Sequence, residues 1–286
     1  MKHYFDYYLT MLAPITWGTT YLVTTEYLPA GYPITMAMLR ALPAGLLILA
    51  LYRKRPYGNQ WLKIFALGGL NFTVFWICLF ISAYRLPGGI AAILTATQPL
   101  IVIGLSVPIL QGALSPRAIG AACAGLLGVS LLVLQSSITL DFIGISAALL
   151  AAASMALGTV LSKKWRGNES LIVFTGWQLT AGGILLLPVT LLFEPNFPVL
   201  TAQNIAGITW LSLVGALLTY LLWFNGIEKL DPATTSILGF LSPVTAIVLG
   251  WSVLGQDLNP VQLLGIVIIA LSVISVTFGK EKTIDI

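Results

Sequence analysis

The sequence predicts an all-α polytopic membrane protein, with ten transmembrane helices arranged as two inverted five-helix repeats. Three observations carry that reading. Of 286 residues, 58% are hydrophobic and only 8% are charged, against about 25% charged in an ordinary soluble domain. The apolar residues gather into ten runs of bilayer-spanning length. The chain also matches itself at a nearly fixed offset.

With so few charges, a water-facing surface would be largely apolar. This excludes a cytosolic enzyme, a nucleic-acid module, a secreted disulfide scaffold and a disordered chain. The formal net charge is +4, but the basic residues are scattered through short loops without a basic stripe, so no nucleic-acid partner is implied. Cys78 and Cys123 lie in apolar runs without CxxC spacing, which points to neither a disulfide nor a metal site. No cofactor is expected. The single histidine, His3, sits near the N-terminus and offers no catalytic pair within a span. The first apolar run is long enough to span and no small-residue cleavage pattern follows it, so it reads as a helix rather than a signal peptide.

An apolar helix of about 20 residues crosses the hydrocarbon layer. In chain order, the first run, 9–28, stops at Pro29-Ala-Gly-Tyr32, and the second, 33–52, at Arg53-Lys-Arg-Pro56. The third, 61–84, ends before Pro87-Gly-Gly89, and the fourth, 89–111, before Ser115-Pro116. The fifth, 117–135, leads into the sixth, 141–162, which stops at Lys163-Lys-Trp-Arg166. The seventh, 170–192, meets Glu194-Pro-Asn196, and the eighth, 205–227, meets Asp231-Pro232. The ninth, 232–254, and the tenth, 261–279, are separated by Asn259-Pro260. Proline, glycine, asparagine and charge are the residues that end or start helices at an interface. With the N-terminus inside, Lys2, Arg53, Lys54, Arg55, Lys63, Arg117, Lys163, Lys164, Arg166, Lys229, Lys280 and Lys282 fall on the cytoplasmic side. Only Arg85 falls outside, so the positive-inside bias predicts two cytoplasmic termini.

Residues 86–116 match 230–260 at an offset of 144. Leu86, Ile93, Leu94, Pro99, Leu105, Leu110, Leu114 and Pro116 meet identical residues at Leu230, Ile237, Leu238, Pro243, Leu249, Leu254, Leu258 and Pro260. Earlier in the chain the offset is 138, and there Arg40 meets Gln178. The expected halves are residues 9–135 and 141–279. Five helices per half invert the second half in the membrane, an arrangement typical of secondary transporters. Pro99 and Pro243 fall within the fourth and ninth spans. Each removes a backbone donor, and in lipid such breaks persist only where protein or water satisfies the freed groups. Gln98 and Ser242 set a polar side chain beside each break. Both breaks read as kinks facing a solute cavity or as kinks of packing alone.

Arg40 is the clearest outlier. It lies seven residues into the second span, about 10 Å below the outer surface at 1.5 Å per residue. A charge there is costly and normally faces a cavity or a partner. It either attracts an anionic or carbonyl group of a solute, or forms a gating ion pair with Glu26, or locks the fold by snorkelling upward. Trp17, Asn71, Trp76 and Gln178 are expected near the midplane, with Tyr21 at the depth of Arg40. Trp177, Tyr220 and Trp223-Phe224-Asn225 add deep aromatic and amide groups, for stacking on a planar solute or for packing. No acidic residue lies at the centre of a span, which weakens a proton relay through the core. Gly120, Ala124 and Gly128 form a small-residue face, fit for a contact within the chain or for a homodimer seam.

Several stretches resemble the EamA-type transporters of the drug/metabolite transporter superfamily. They are Trp17-Gly-Thr-Thr-Tyr21, Leu39-Arg-Ala-Leu-Pro-Ala-Gly45, Ala83-Tyr-Arg-Leu-Pro-Gly-Gly89 followed by Gln98-Pro99, Ala153-Ser-Met-Ala-Leu-Gly-Thr159 and Phe174-Thr-Gly-Trp-Gln178. Their wording is similar to that of the PecM-like branch, the indigoidine (blue pigment) exporters. The resemblance covers essentially the whole chain. It implies export of a small metabolite, such as an amino acid, a derivative or a pigment, across the bacterial inner membrane. It also implies a central cavity lined by spans one to four and six to nine, with Trp17, Tyr21, Arg40, Asn71, Trp76, Gln98, Trp177, Gln178, Tyr220 and Ser242 on its wall. Glu26, Arg40, Pro99 and Pro243 are the gating or coupling residues expected. The same cavity could serve import or uncoupled equilibration. An intramembrane enzyme would need a deep histidine, carboxylate pair or metal cluster, and the sequence places none in a span.

Overall fold

The computed structural model describes residues 2–86, 88–113, 115–133 and 141–278. Pro87, Leu114, the expected ends of spans five and ten at 134–135 and 279, Lys280 and Lys282 lie outside the described residues. Span 1 is Lys2–Tyr27, span 2 is Pro33–Tyr52, and span 3 runs through Gln60–Gly68, Gly69–Val74 and Phe75–Arg85. Span 4 is split into Gly88–Thr95 and Gln98–Leu110. Spans 5, 6 and 7 are Pro116–Val133, Phe142–Lys164 and Leu171–Phe193. Span 8 runs through Ala202–Thr209, Trp210–Leu218 and Thr219–Lys229, span 9 is split into Pro232–Leu238 and Leu241–Leu254, and span 10 is Pro260–Phe278. Among the described residues, nine segments are long and apolar enough to cross a bilayer. Span 1 has the length, at 26 residues, but is the least apolar of the ten. Six threonines between Thr10 and Thr25 account for that. It starts seven residues before the expected boundary because Tyr4, Phe5 and Tyr8 extend the helix with exposed rings.

Short polar side chains set the helix starts. The Gly144 N–H donates to Asp141 (2.6 Å), and the Thr234 N–H donates to Asp231 (2.8 Å) just ahead of Pro232. Thr201 and Asn204 form a reciprocal capping box, which satisfies two donors at once. Span 2 is capped from a distance. Glu194 accepts from the N–H groups of Ile34 and Thr35 (2.9 and 2.7 Å) and from the Thr35 hydroxyl (2.6 Å). A carboxylate on a helix N-terminus gains from both the hydrogen bonds and the helix dipole. Glu194→Ala is expected to destabilise the folded protein by about 2 kcal/mol. Thermal unfolding in detergent checks this, and an unchanged midpoint would refute it.

The contacts obey a two-fold. Span 2 packs on span 7, and span 5 packs on span 10. Span 1 packs on spans 8 and 9, and span 6 packs correspondingly on spans 3 and 4. The irregularities recur too. Gly69–Val74 in span 3 and Trp210–Leu218 in span 8 are both π-helical. Spans 4 and 9 both end on a left-handed residue, Gln111 (φ 55°) and Gly255 (φ 65°), 144 positions apart. The breaks go further than kinks: span 4 stops at Ala96-Thr97 and span 9 at Gly239-Phe240, and each helix restarts with Pro99 or Pro243 in its first turn. Proline is tolerated there because those N–H groups have no helical acceptor in any case.

The seam between spans 2 and 7 is built of glycine. A Cβ on Gly45 would stand 2.9 Å from the Thr180 Cα, and one on Gly183 would stand 2.8 Å from the Leu42 Cα. The small-residue face of span 5 is divided. Gly128 meets Gly265 of span 10 within the chain, whereas Gly120 faces open space.

Candidate functional site

A cavity of about 390 Å³ lies between the helices. Its wall comes from the middle of the bundle and from the half nearer the face opposite the termini. Span 1 contributes Trp17, Gly18, Thr20 and Tyr21, and span 3 contributes Phe75, Trp76 and Leu79. The broken segments supply Thr95, Ala96, Gln98 and Pro99 on one side and Gly239, Phe240, Ser242 and Pro243 on the other. The floor is aromatic. Trp17 lies against Tyr220 and Trp223 at centroid distances of 5.1 and 5.0 Å, and Phe72 meets Tyr220 edge-on at 4.7 Å.

Arg40 enters this cavity from span 2. Its Nη2 donates to the Gly215 carbonyl at 2.6 Å, and the guanidinium stands over the Trp76 ring at 5.7 Å. Gly215 lies in the π-helical part of span 8, where the altered ladder leaves carbonyls free for side chains. Trp17 Nε1 and the Thr219 hydroxyl also donate to that carbonyl, at 3.2 and 2.9 Å. The Arg40 Nε, Gln98 Nε2, Trp223 Nε1 and Thr20 Oγ1 atoms are buried without a hydrogen-bond partner. Such groups are uncommon in folded proteins. Here three donors and a hydroxyl converge on one cavity, a wall suited to a solute rich in acceptor atoms. Among the described lining residues, none is Asp, Glu, His or Lys.

The face carrying the termini is tied shut. Arg166 pairs with Glu228 (3.0 Å) and bonds the Glu169 carbonyl, Lys163 donates to the Leu230 carbonyl (2.6 Å), and Lys229 pairs with Asp6 (2.8 Å). The bonds from Lys163, at the end of span 6, and from Arg166, just beyond it, reach the end of span 8 and the connector that follows it. On the opposite face, the ties join the starts of spans 6 and 8 to the ends of spans 3 and 1. Arg85 pairs with Asp141 (3.3 Å), and Gln203 and Asn204 bond the carbonyls of Glu26 and Tyr27.

Of the residues expected at a site, the structure brings Trp17, Tyr21, Arg40, Trp76, Gln98, Tyr220 and Ser242 together, with Pro99 and Pro243 beside them. It does not bring Asn71, Trp177 and Gln178 to this wall. Asn71 Nδ2 donates to Gln178 Oε1 at 2.9 Å in a buried interface, and Trp177 Nε1 donates to the Lys54 carbonyl (3.0 Å). The expected Glu26–Arg40 pair does not form. Glu26 is exposed, and the guanidinium is held by Gly215 and Trp76 instead. Phe75, Met155 and Phe240 line the cavity without having been singled out. Apolar residues on one face leave no signal that separates a cavity wall from a packed core.

The EamA-like transporter family pattern matches residues 5–134 and again 142–278. The chain is 45% identical over 278 residues to protein PecM of Dickeya dadantii (strain 3937), covering 95% of this chain and 93% of that one. It is 30% identical to a chloroplastic WAT1-related protein of Arabidopsis thaliana, over 92% of this chain and 67% of that protein. It is 26% identical to the inner membrane transporter YedA of Escherichia coli (strain K12), over 93% and 88%. A solved crystal structure shares the fold with a TM-score of 0.80 at 18% identity, covering 95% of this chain and 97% of that chain. The chain is a multi-pass membrane protein, and it belongs to the EamA-like transporter family of the drug/metabolite transporter superfamily.

Proposed function

We propose that the protein exports a small aromatic or amphipathic metabolite across the bacterial inner membrane by alternating access, with both termini in the cytoplasm. One observation carries this reading: the cavity holding Arg40 and an aromatic floor is walled by the half of the bundle away from the termini, while the terminal face is closed by bonds from Lys163 and Arg166. Sites between inverted halves are where secondary transporters hold solute. The basic residues clustered at the terminal face support its cytoplasmic placement. The resemblance to the PecM-like branch, which implies export of a pigment or similar metabolite, supports export. Arg40 supplies the charge that a carboxylate or carbonyl would meet, and the rings supply a stacking surface.

Uncoupled equilibration is the second reading, favoured by the absence of a carboxylate or histidine from the described cavity wall. The discriminating measurement is flux of amino acids and planar metabolites in proteoliposomes, with and without an imposed pH gradient. Gradient-driven accumulation is the expected result for a coupled exporter. Flux indifferent to the gradient establishes the facilitator. A protein that moves none of the panel contradicts the substrate class proposed.

A further inference from the structure

A second, smaller cavity of about 180 Å³ lies at the terminal face, lined by Ser162, Lys163, Arg166, Phe224, Ile227 and Glu228. It does not join the large cavity, but the two share helices. On span 6, Met155 lines the large cavity and Ser162 the small one. At 100° per residue, Met155, Thr159 and Ser162 fall on one stripe. On span 8, Tyr220 and Trp223 line the large cavity, and Phe224, Ile227 and Glu228 line the small one. Thr159 therefore stands between the two cavities. It is fully buried, and its hydroxyl has no partner.

Behind this stripe lies a buried polar cluster. Asn71 Nδ2 donates to Ser162 Oγ (3.1 Å) and to Gln178 Oε1 (2.9 Å), and the Ser162 hydroxyl reaches Gln178 at 3.3 Å. Asn71 Oδ1 and Gln178 Nε2 remain unpaired and buried. Leaving three polar atoms unpaired in an apolar interior is costly. The cluster also has a two-fold mate. Gln178 on span 7 corresponds to Arg40 on span 2, and each bonds the π-helical part of a neighbouring span, Asn71 in span 3 and Gly215 in span 8. One of these mates borders an open cavity in this state, and the other is sealed.

We propose that the passage to the terminal face runs between spans 6 and 8 past Thr159, and that Thr159, Ser162, Gln178 and Asn71 form a second polar station for the solute, exposed when the Arg166–Glu228 tie opens. The inference rests on the alternating-access reading. In inverted repeats, rocking of one half against the other exposes the site to each face in turn, and the station is then the counterpart of the Arg40 wall. Its unpaired acceptor and donors are neutral, so an anionic solute meets a full charge from one face and amide and hydroxyl groups from the other.

The test uses single cysteines in the full-length protein, with Cys78 and Cys123 replaced by serine, in sealed vesicles of known orientation. Thr20→Cys reports on the large cavity and Thr159→Cys on the passage. A membrane-impermeant thiol reagent is expected to label Thr20→Cys from the opposite face and to leave Thr159→Cys unlabelled. Adding Glu228→Gln is expected to speed labelling of Thr159→Cys from the terminal face by about fivefold, a shift of the size one ion pair supplies, while slowing Thr20→Cys. If Glu228→Gln slows Thr20→Cys and Thr159→Cys still resists labelling, the passage lies elsewhere and alternating access stands. If neither rate responds, the gating reading falls and this one with it. A second variant leaves the cysteines aside: Thr159→Leu should plug the passage and cut flux at least about tenfold, the loss that 1.4 kcal/mol on the transport barrier produces. Unchanged flux in a folded Thr159→Leu protein would overturn the proposal.

Discussion

Arg40→Gln is expected to lower solute flux about 10- to 100-fold, because a hydrogen bond to a charged group contributes about 1.5–3 kcal/mol. The guanidinium has one arm tied to the Gly215 carbonyl at 2.6 Å, and its Nε is unpaired at the cavity. The neutral amide keeps polarity and loses the charge. Folding is expected to survive, since the Gly215 carbonyl retains Trp17 Nε1 and the Thr219 hydroxyl as donors. Arg40→Lys separates charge from geometry. A lysine offers a point charge but no planar fork to hold Gly215 and stand over Trp76 together, so partial flux is expected. Proteoliposome flux, read beside the melting temperature of each variant, checks both. Flux within twofold of the parent in Arg40→Gln would remove Arg40 from the solute site.

Gly45→Val is expected to cost about 3 kcal/mol of stability or to abolish the folded protein altogether. A Cβ at this position collides with the backbone of Thr180 itself, with the Cα 2.9 Å away. A flexible side chain could rotate aside, but a helix backbone cannot. The whole seam would have to separate, and with it Gly176 against Ile48 and Gly183 against Leu42. Gly120→Ala is the control, since nothing lies within 4 Å of that position. Thermal unfolding of the two variants side by side decides the matter. A Gly45→Val protein as stable as Gly120→Ala would mean that spans 2 and 7 are not packed this closely.

The span count, the two halves and the paired proline breaks were legible because each depends on local chemistry: runs of apolar residues, separators, and proline at a repeated position. The wall of the cavity was legible in part. Trp17, Tyr21, Arg40, Gln98 and Ser242 stand out as polar or amphipathic groups inside apolar helices. Asn71 and Gln178 stand out for the same reason, yet they serve each other across 107 residues of sequence, and nothing local distinguishes an amide that meets a solute from one that meets another amide. The expected Glu26–Arg40 pair does not form for reasons of depth as well as angle, since Glu26 lies five residues outward of Tyr21, the residue at the depth of Arg40. Nine residues separate Glu26 from Trp17, and at 100° per residue that is half a turn, so the two cannot share a face. The same arithmetic would have placed Met155, Thr159 and Ser162 on one stripe. The π-helical segments left no trace, because their register follows from packing of spans 3 and 8 on their neighbours.

Spans 2 and 7 are each other's mates under the two-fold, so the seam between them maps onto itself. Under the alternating-access proposal, a motion that turns one half about this seam would convert an opening on one face into an opening on the other, with Gly45 on Thr180 and Gly183 on Leu42 exchanging roles. Much of the packing along the seam would then be common to the two end states. What remains to set their relative populations is the difference between unlike polar groups: bonds from Lys163 and Arg166 on one face, and a guanidinium against an amide at the mated positions 40 and 178. On that proposal, the bias of the carrier toward one side of the membrane would rest on a handful of polar differences between its two halves, and those positions are where selection could reverse it without disturbing the fold.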